Sequence, residues 1–433
     1  MRTASSVVLS LSVALALASC GGSPSGGGTT PRAVGPSEIV PSEVPAAEPG
    51  DARGFARAMN GFGLDVWRAL AAEGEAEGNF AISPASLSLA LAMTYGGARG
   101  QTAEAMARAL HLASSPDQAM ADAGALISTW NDPQRTAYEL AIANRLFAEQ
   151  RYDFREAYLA ATRDRFGAEV ERLDFRGDAE GARQTINGWV EERTRDRIQD
   201  LLPEGSIADD TRLVLVNAVY FHGRWLREFD PEQTTDRSFF VHGREQAQVP
   251  TMHAVGGRYG EDEGVQLLEL PYAGEELAML IVLPRQRDGI AALEERLDEA
   301  QVAQWAERVA EHRRVEILLP RFRVETDSLA LREPLVALGM GVAFSDRADF
   351  SAMTEPHETP LKIDEVFHRV FVEVNEEGTE AAAATGVVMV EITSAGPRAE
   401  PPRFVADHPF LFFLRDVRTG AILFAGRLSD PRA

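Results

Sequence analysis

The sequence predicts an α+β fold in a single domain of about 380 residues, helical in its amino-terminal half and rich in strands in its carboxy-terminal half. Apolar residues recur at three- and four-residue steps early in the chain, and short β-branched runs dominate later. No Pro/Gly-rich break and no internal repeat follows Asp51 to divide the chain. A domain this far above the usual ~100–200 residues points to a specialised fold.

The elements follow in order. Phe55, Met59, Phe62, Val66 and Leu70 form the stripe of a first amphipathic helix, which places the folded domain at residues 53–433. Residues 84–95 and 101–110 read as two more helices, each opened by a capping hydroxyl, the second by Thr102. Residues 213–221, 277–283, 315–319, 369–374, 410–414 and 422–425 are short and β-branched, and read as strands.

Composition narrows the function. A hydrophobic content of 45% is ample for a sizeable core, and 43 basic against 66 acidic residues leave a net charge of −23. That charge repels phosphate backbones and anionic headgroups, so no nucleic-acid partner is expected. The eight histidines form no His-Glu-x-x-His pattern, and neither a Gly-x-Ser-x-Gly elbow nor a Gly-x-x-x-x-Gly-Lys loop occurs. No metal, cofactor or catalytic nucleophile is expected.

The amino terminus reads as a targeting segment. Arg2 precedes an apolar stretch from Val7 to Leu17 that is too short to span a bilayer, so residues 1–19 read as a signal peptide. Leu17-Ala-Ser-Cys20 resembles the bacterial lipobox, which implies that Cys20, the one cysteine of the chain, becomes lipidated. Gly21 follows it rather than Asp, and the same resemblance then implies sorting to the outer membrane. Residues 20–52 are the lipidated cysteine and a flexible linker rich in Gly, Ser, Pro and Thr. The expectation is an exported lipoprotein of the outer membrane or cell surface, extracellular if released, that touches the membrane through its lipid anchor alone.

Several motifs carry a resemblance along the whole domain. Asn79-Phe-Ala-Ile-Ser-Pro-Ala-Ser86 is followed by Gly96-Gly-Ala-Arg-Gly-Gln-Thr102, by Leu215-Val-Asn-Ala-Val-Tyr-Phe-His-Gly-Arg-Trp225 and by Phe229-Asp-Pro231. Leu270-Pro-Tyr272, Leu283-Pro284, Leu338-Gly-Met340, Ala343-Phe-Ser345 and Asp407-His-Pro-Phe410 come next, and residues 376–385 read Glu-Glu-Gly-Thr-Glu-Ala-Ala-Ala-Ala-Thr. In this order they resemble the serpins, from about Phe55 to Asp430. The resemblance implies an amino-terminal helical region, three β-sheets and an exposed reactive-centre loop. It also implies an inhibitor of serine-type endopeptidases that acts as a monomer and is no enzyme.

Residue roles come with the resemblance. Ser83, Ser86, Asn217 and His368 match the hydrogen-bonded shutter beneath the central sheet. Trp225 matches the breach tryptophan at its top, and Arg321 with Glu376 matches the breach ion pair. Family members carry Lys where Arg321 stands, and the guanidinium permits a bidentate contact.

Loop insertion into a sheet is the mechanism of this family, and it makes physical demands on the segment Glu376, Glu377, Gly378, Thr379, Glu380, Ala381, Ala382, Ala383, Ala384 and Thr385. An inserting strand buries alternate side chains, so every second one must be small or apolar. Thr379, Ala381, Ala383, Thr385, Val387 and Met389 meet this on one face, Glu380 falls on the other, and no Pro interrupts residues 378–393. Ala is a poor strand former, so the segment need not be a committed strand before cleavage.

Family members place the scissile residue about fourteen positions after the hinge glycine, far enough at ~3.3 Å per residue to cross the sheet. That count selects Ile392 with Thr393 after it, and favours elastase-like or subtilisin-like targets, with a cysteine protease as the other class. Counting back from Pro409 over the long return segment selects Arg398 instead, and a loop used one register earlier would expose Val390 or Glu391.

Overall fold

The computed structural model describes residues 50–74, 78–131, 137–241, 245–379 and 401–432. Helix α1 (Ala52–Glu73) starts where the Asp51 carboxylate accepts the Gly54 N–H, and it buries the expected stripe of Phe55, Met59, Phe62, Val66 and Leu70. After β1 (Phe80–Ile82), α2 (Pro84–Gly97) is capped by the Ser83 hydroxyl, with Pro84 in its first turn. It is buried almost all round, as a helix at the centre of a large core must be. α3 (Gly100–Ala109) and α4 (Pro116–Trp130) complete this helical layer.

One expected cap is corrected. α3 starts at Gly100 with no side-chain cap, and Thr102 lies inside its first turn. There the Thr102 Oγ1 accepts the Asp349 N–H at 2.8 Å and ties the helix to a distant loop. A hydroxyl that finds a donor from elsewhere in the fold is not available to its own backbone.

Helices also share the first half with strands. β2 (Tyr138–Glu149), α5 (Glu156–Phe166), β3 (Glu169–Leu173), α6 (Ala179–Arg193) and β4 (Leu213–Arg224) follow α4. β2 is not among the strands expected, and its pairing along β4 makes it one. Then come β5 (Thr235–Val241), β6 (Glu245–Asp262), β7 (Val265–Pro271), β8 (Leu277–Pro284), α7 (Ile290–Glu294) and α8 (Glu299–Arg308). β9 (Ala310–Pro320), β10 (Phe322–Glu325), β11 (Leu329–Ala330), α9 (Arg332–Leu335), β12 (Phe367–His368) and β13 (Phe371–Val374) continue the chain. β14 (Gly378–Thr379), β15 (Arg403–Val405), β16 (Phe410–Asp416) and β17 (Ile422–Leu428) end it. The strand expected from residue 369 begins at Phe371, because Val370 exchanges hydrogen bonds with Thr326 instead of joining a ladder.

Among the described residues these strands form three sheets. A central six-stranded sheet runs β10-β13-β14-β4-β2-β3, and a nine-stranded sheet runs β1-β17-β16-β8-β7-β6-β9-β15 with β5 on β6. β11 and β12 make a two-stranded pair. The central sheet is covered on both faces, which explains the nearly unbroken apolar run of β4. Val219 and Phe221 face the main core with α1 and α2, whereas Val216 joins a smaller cluster under α6 built from Phe147, Ile186, Trp189 and Val190.

The Thr102 contact is testable on its own. Thr102→Val keeps the shape, removes the acceptor and leaves the Asp349 N–H unpaired, which costs about 1–2 kcal/mol. The urea midpoint should fall with the slope unchanged, and an unshifted midpoint would show that water satisfies Asp349 equally well.

Candidate functional site

β4 is paired with β2 along its length, from Tyr138↔Gly223 to Ala148↔Leu213. Its other edge meets β14 only at Gly378↔Arg224 and Thr379↔Gly223, and β14 meets β13 only at Val374↔Thr379. Among the described residues no ladder joins β13 directly to β4. A two-residue strand therefore wedges the top of a seam. Beneath Thr379 the seam is a cleft lined by Val219, Phe221, Val372, Leu414 and Phe424. A second cleft is lined by Ser83, Ser86, Asn217 and His368. Such an edge can accept one further strand.

Side-chain bulk fixes the wedge. A Cβ on Gly378 would lie 1.9 Å from the Gly223 carbonyl oxygen, so only glycine lets the two backbones approach this closely. Thr379 points into the core, where its Oγ1 shares a hydrogen bond of 2.6 Å with the Tyr272 hydroxyl. Tyr272 is buried, which pushes its pKa up and keeps it protonated. Trp225 stacks on it with centroids 4.5 Å apart and planes 23° apart. The Trp225 indole N–H donates to the Asn375 carbonyl at 2.9 Å, and its backbone N–H donates to Glu377 at 2.8 Å.

Glu376 and Arg321 are paired, in a geometry different from the expected fork. The Arg321 Nε donates to Glu376 Oε1 at 2.7 Å and Nη2 lies 2.5 Å from the same oxygen, so both nitrogens converge on one atom. The Thr234 hydroxyl donates to that oxygen as well, which leaves the guanidinium turned onto one side of the carboxylate. Burial opposes ionisation of Glu376, but the hydrogen bonds from Arg321 and Thr234 outweigh it and hold the carboxyl below its usual range.

Under the sheet, the four residues matched to the shutter come together. Ser83 accepts the Ser86 N–H at 3.1 Å as the cap of α2 and donates its hydroxyl to the Leu423 carbonyl at 2.7 Å. The Ser83 N–H donates to His368 Nε2 at 3.0 Å, so that nitrogen must be unprotonated. Burial pushes His368 down to about 3 and favours the same neutral form. The Ser86 hydroxyl reaches the Asn217 carbonyl at 3.4 Å, and Asn217 Nδ2 donates to Asn144 Oδ1 at 2.8 Å. Asn217 Oδ1 is buried without a partner among the described residues.

The sequence motifs did not single out Asn144, Thr234 or Asn375. Tyr272 stood inside Leu270-Pro-Tyr272 without a role, and Asn144 lies in β2, which is not among the strands expected. Glu380, Ala381, Ala382, Ala383, Ala384, Thr385, Ile392 and Thr393 lie outside the described residues, as does Cys20.

A helical layer, a central sheet with a seam open among the described residues and a polar cluster beneath it make up the site, and the comparisons place it in a family. Residues 57–431 match the family model described as Serpin (serine protease inhibitor). The leukocyte elastase inhibitor of Bos taurus is 41% identical over 379 residues, covering 86% of this chain and 97% of its own. A serpin-like protein of Methanosarcina acetivorans is 37% identical over 379 residues, covering 87% of this chain and 86% of its own. Among solved structures, cleaved Serpin 42Da superposes with a TM-score of 0.77 at 34% identity, over 87% of this chain and 98% of its own. Uncleaved ovalbumin gives 0.76 at 28% identity, over 87% of this chain and 100% of its own. The chain belongs to the serpin family. It is a protease inhibitor of the suicide-substrate kind and not an enzyme.

Two pH effects follow. The folded pKa of His368 is depressed, so its contribution is complete above the unfolded value near 6.5 and is lost as pH falls toward about 3. His368→Gln, which can still accept from Ser83, should flatten the acid side of the melting profile over that window, and an equally steep profile would show that other groups set it. Glu376 is also depressed, so the pair with Arg321 stabilises above the ordinary carboxylate range and fades as pH falls through the depressed value. Arg321→Ala should therefore lower Tm more at pH 7 than at acid pH below the ordinary carboxylate range, and an equal loss at both would remove the ion pair as the cause.

Proposed function

We propose that a target protease cuts this chain between Ile392 and Thr393, and that the segment from Glu380 onward then enters the seam between β13 and β4. The observation that carries this is the register of Thr379. Its side chain lies on the core face against Tyr272, so in one continuous strand Ala381, Ala383, Thr385, Val387 and Met389 share that face. Small and apolar side chains there suit the cleft lined by Val219, Phe221 and Val372, and Glu380, Ala382 and Ala384 take the other face.

The energetics support a trap. A strand of about a dozen residues adds backbone hydrogen bonds at ~0.5–1.5 kcal/mol each and buries apolar area at ~25 cal/mol per Å², together more than ~10 kcal/mol. A starting fold that far above its product persists through a kinetic barrier. The protease supplies the catalytic groups. Its serine forms an acyl-enzyme on Ile392, and insertion then drags the acylated protease until its active site distorts.

Ile392 as bait favours an elastase-like or subtilisin-like target, and kinship with a protein named leukocyte elastase inhibitor supports the same choice. A cysteine protease is the other class of target. Lipidation of Cys20 would tether the inhibitor to the outer membrane or cell surface through residues 20–52. No helix among the described residues is long and apolar enough to cross a membrane.

Thr379→Arg places a charge against Tyr272 at the top of the seam, where it cannot be buried, and should raise the stoichiometry of inhibition roughly tenfold or more while the loop is still cut. Unchanged stoichiometry would sink the insertion reading. Intact mass after incubation with an elastase-like protease should show a covalent complex and a released peptide beginning at Thr393. A peptide beginning at Arg398 or later would move the bond. Ile392→Arg should redirect inhibition to trypsin-like enzymes. Cys20→Ser should abolish incorporation of labelled lipid, and retained labelling would remove Cys20 as the anchor.

A further inference from the structure

A cavity of about 670 Å³ opens beside the wedge, between residues 225–233, residues 253–258 of β6 and Glu377. It shares no lining residue with either cleft of the seam. A bulge makes it. The register of β6 against β9 slips between Val255 and Gly257, and Gly256 takes a φ of +91° that a side chain would resist. The strand is thrown outward there, leaving Val255 62% exposed on one rim, with Leu226 43% exposed on the other.

The charges around this cavity do not balance. Arg227 is held by Glu311 at 3.0 Å and Arg258 by Glu269 at 2.8 Å, so both cations on the wall are already engaged. Glu228 is paired with Arg224. Glu377, half-buried, and Glu275, exposed, have no cationic partner among the described residues. Trp225 and Phe229 form a buried floor, and the accessible apolar surface of the cavity is that of Val255 and Leu226. A cavity in the 300–1,000 Å³ range whose unpaired charges are of one sign selects both the size and the charge of its ligand.

We propose that this cavity binds a small organic cation with an apolar body, its ammonium group directed to Glu377 and its body between Leu226 and Val255. The site stands independently of the loop-insertion reading, since it requires neither cleavage nor a protease.

The test is calorimetric titration of the full-length protein with 4-phenylbutylammonium and with its uncharged analogue 4-phenylbutan-1-ol, in the absence of protease. The expected result is saturable binding of one cation per chain, with the alcohol weaker by about fivefold, the effect of one partly screened ion pair. Glu377→Gln should bring the cation down to the affinity of the alcohol. Val255→Trp, which fills the exposed rim without touching a charge, should weaken both. Equal affinities for cation and alcohol, a cation affinity unchanged by both substitutions, or no saturable binding would overturn the proposal.

Discussion

Among the described residues β4 is hydrogen-bonded to a neighbour along one edge and at only two residues of the other, and the fold is arranged around that second edge. Backbone N–H and C=O groups that lack a ladder partner are a standing cost where they are shut away from water. The wedge of Gly378 and Thr379 keeps the cost from being removed by closing β13 onto β4. Everything that holds the wedge belongs to its surroundings: the Gly223 carbonyl that excludes a Cβ, the Tyr272 hydroxyl that takes Thr379, and the Trp225 ring stacked behind them. Remove the wedge and the open sheet has no reason to stay open.

The polar cluster under the sheet is the second half of the same constraint. An apolar contact between α2 and β4 would be simpler to build, yet Ser83, Ser86, Asn144, Asn217 and His368 occupy the space with directional bonds. Directional bonds hold a seam at one width, whereas apolar packing would tolerate several. The neutral His368 is essential to this, because a protonated ring could not accept from Ser83. Asn217 Oδ1 is buried and finds no partner among the described residues. Buried polar atoms left unpaired are uncommon in stable interiors and concentrate where a structure stores strain or rearranges.

Much of this was legible in the sequence because family motifs spell it. Ser83, Ser86, Asn217 and His368 were grouped without any local signal that they touch, and the structure brings them within hydrogen-bond reach across 285 residues. The stripe from Phe55 to Leu70 was legible for a different reason, since helical periodicity is a local property. Thr102 misled because capping chemistry is local in form, while its hydroxyl answers to Asp349. β2 is not among the strands expected, nor is Asn144 singled out, since its role exists only once β2 lies beside β4. The one-sided Arg321 contact was beyond reach for the same reason, being set by Thr234, which the motifs pass over.

Trp225 ties these levels together. One face of its indole stacks on Tyr272, which holds Thr379, while the ring also lines the cavity formed by the β6 bulge. Its N–H is committed to Asn375 and its backbone N–H to Glu377, so it has little freedom to turn. Close packing around such a ring leaves it few alternative positions. The wedge and the cavity therefore share a wall, and the residue that forms it is fixed by the backbone of Asn375 and Glu377.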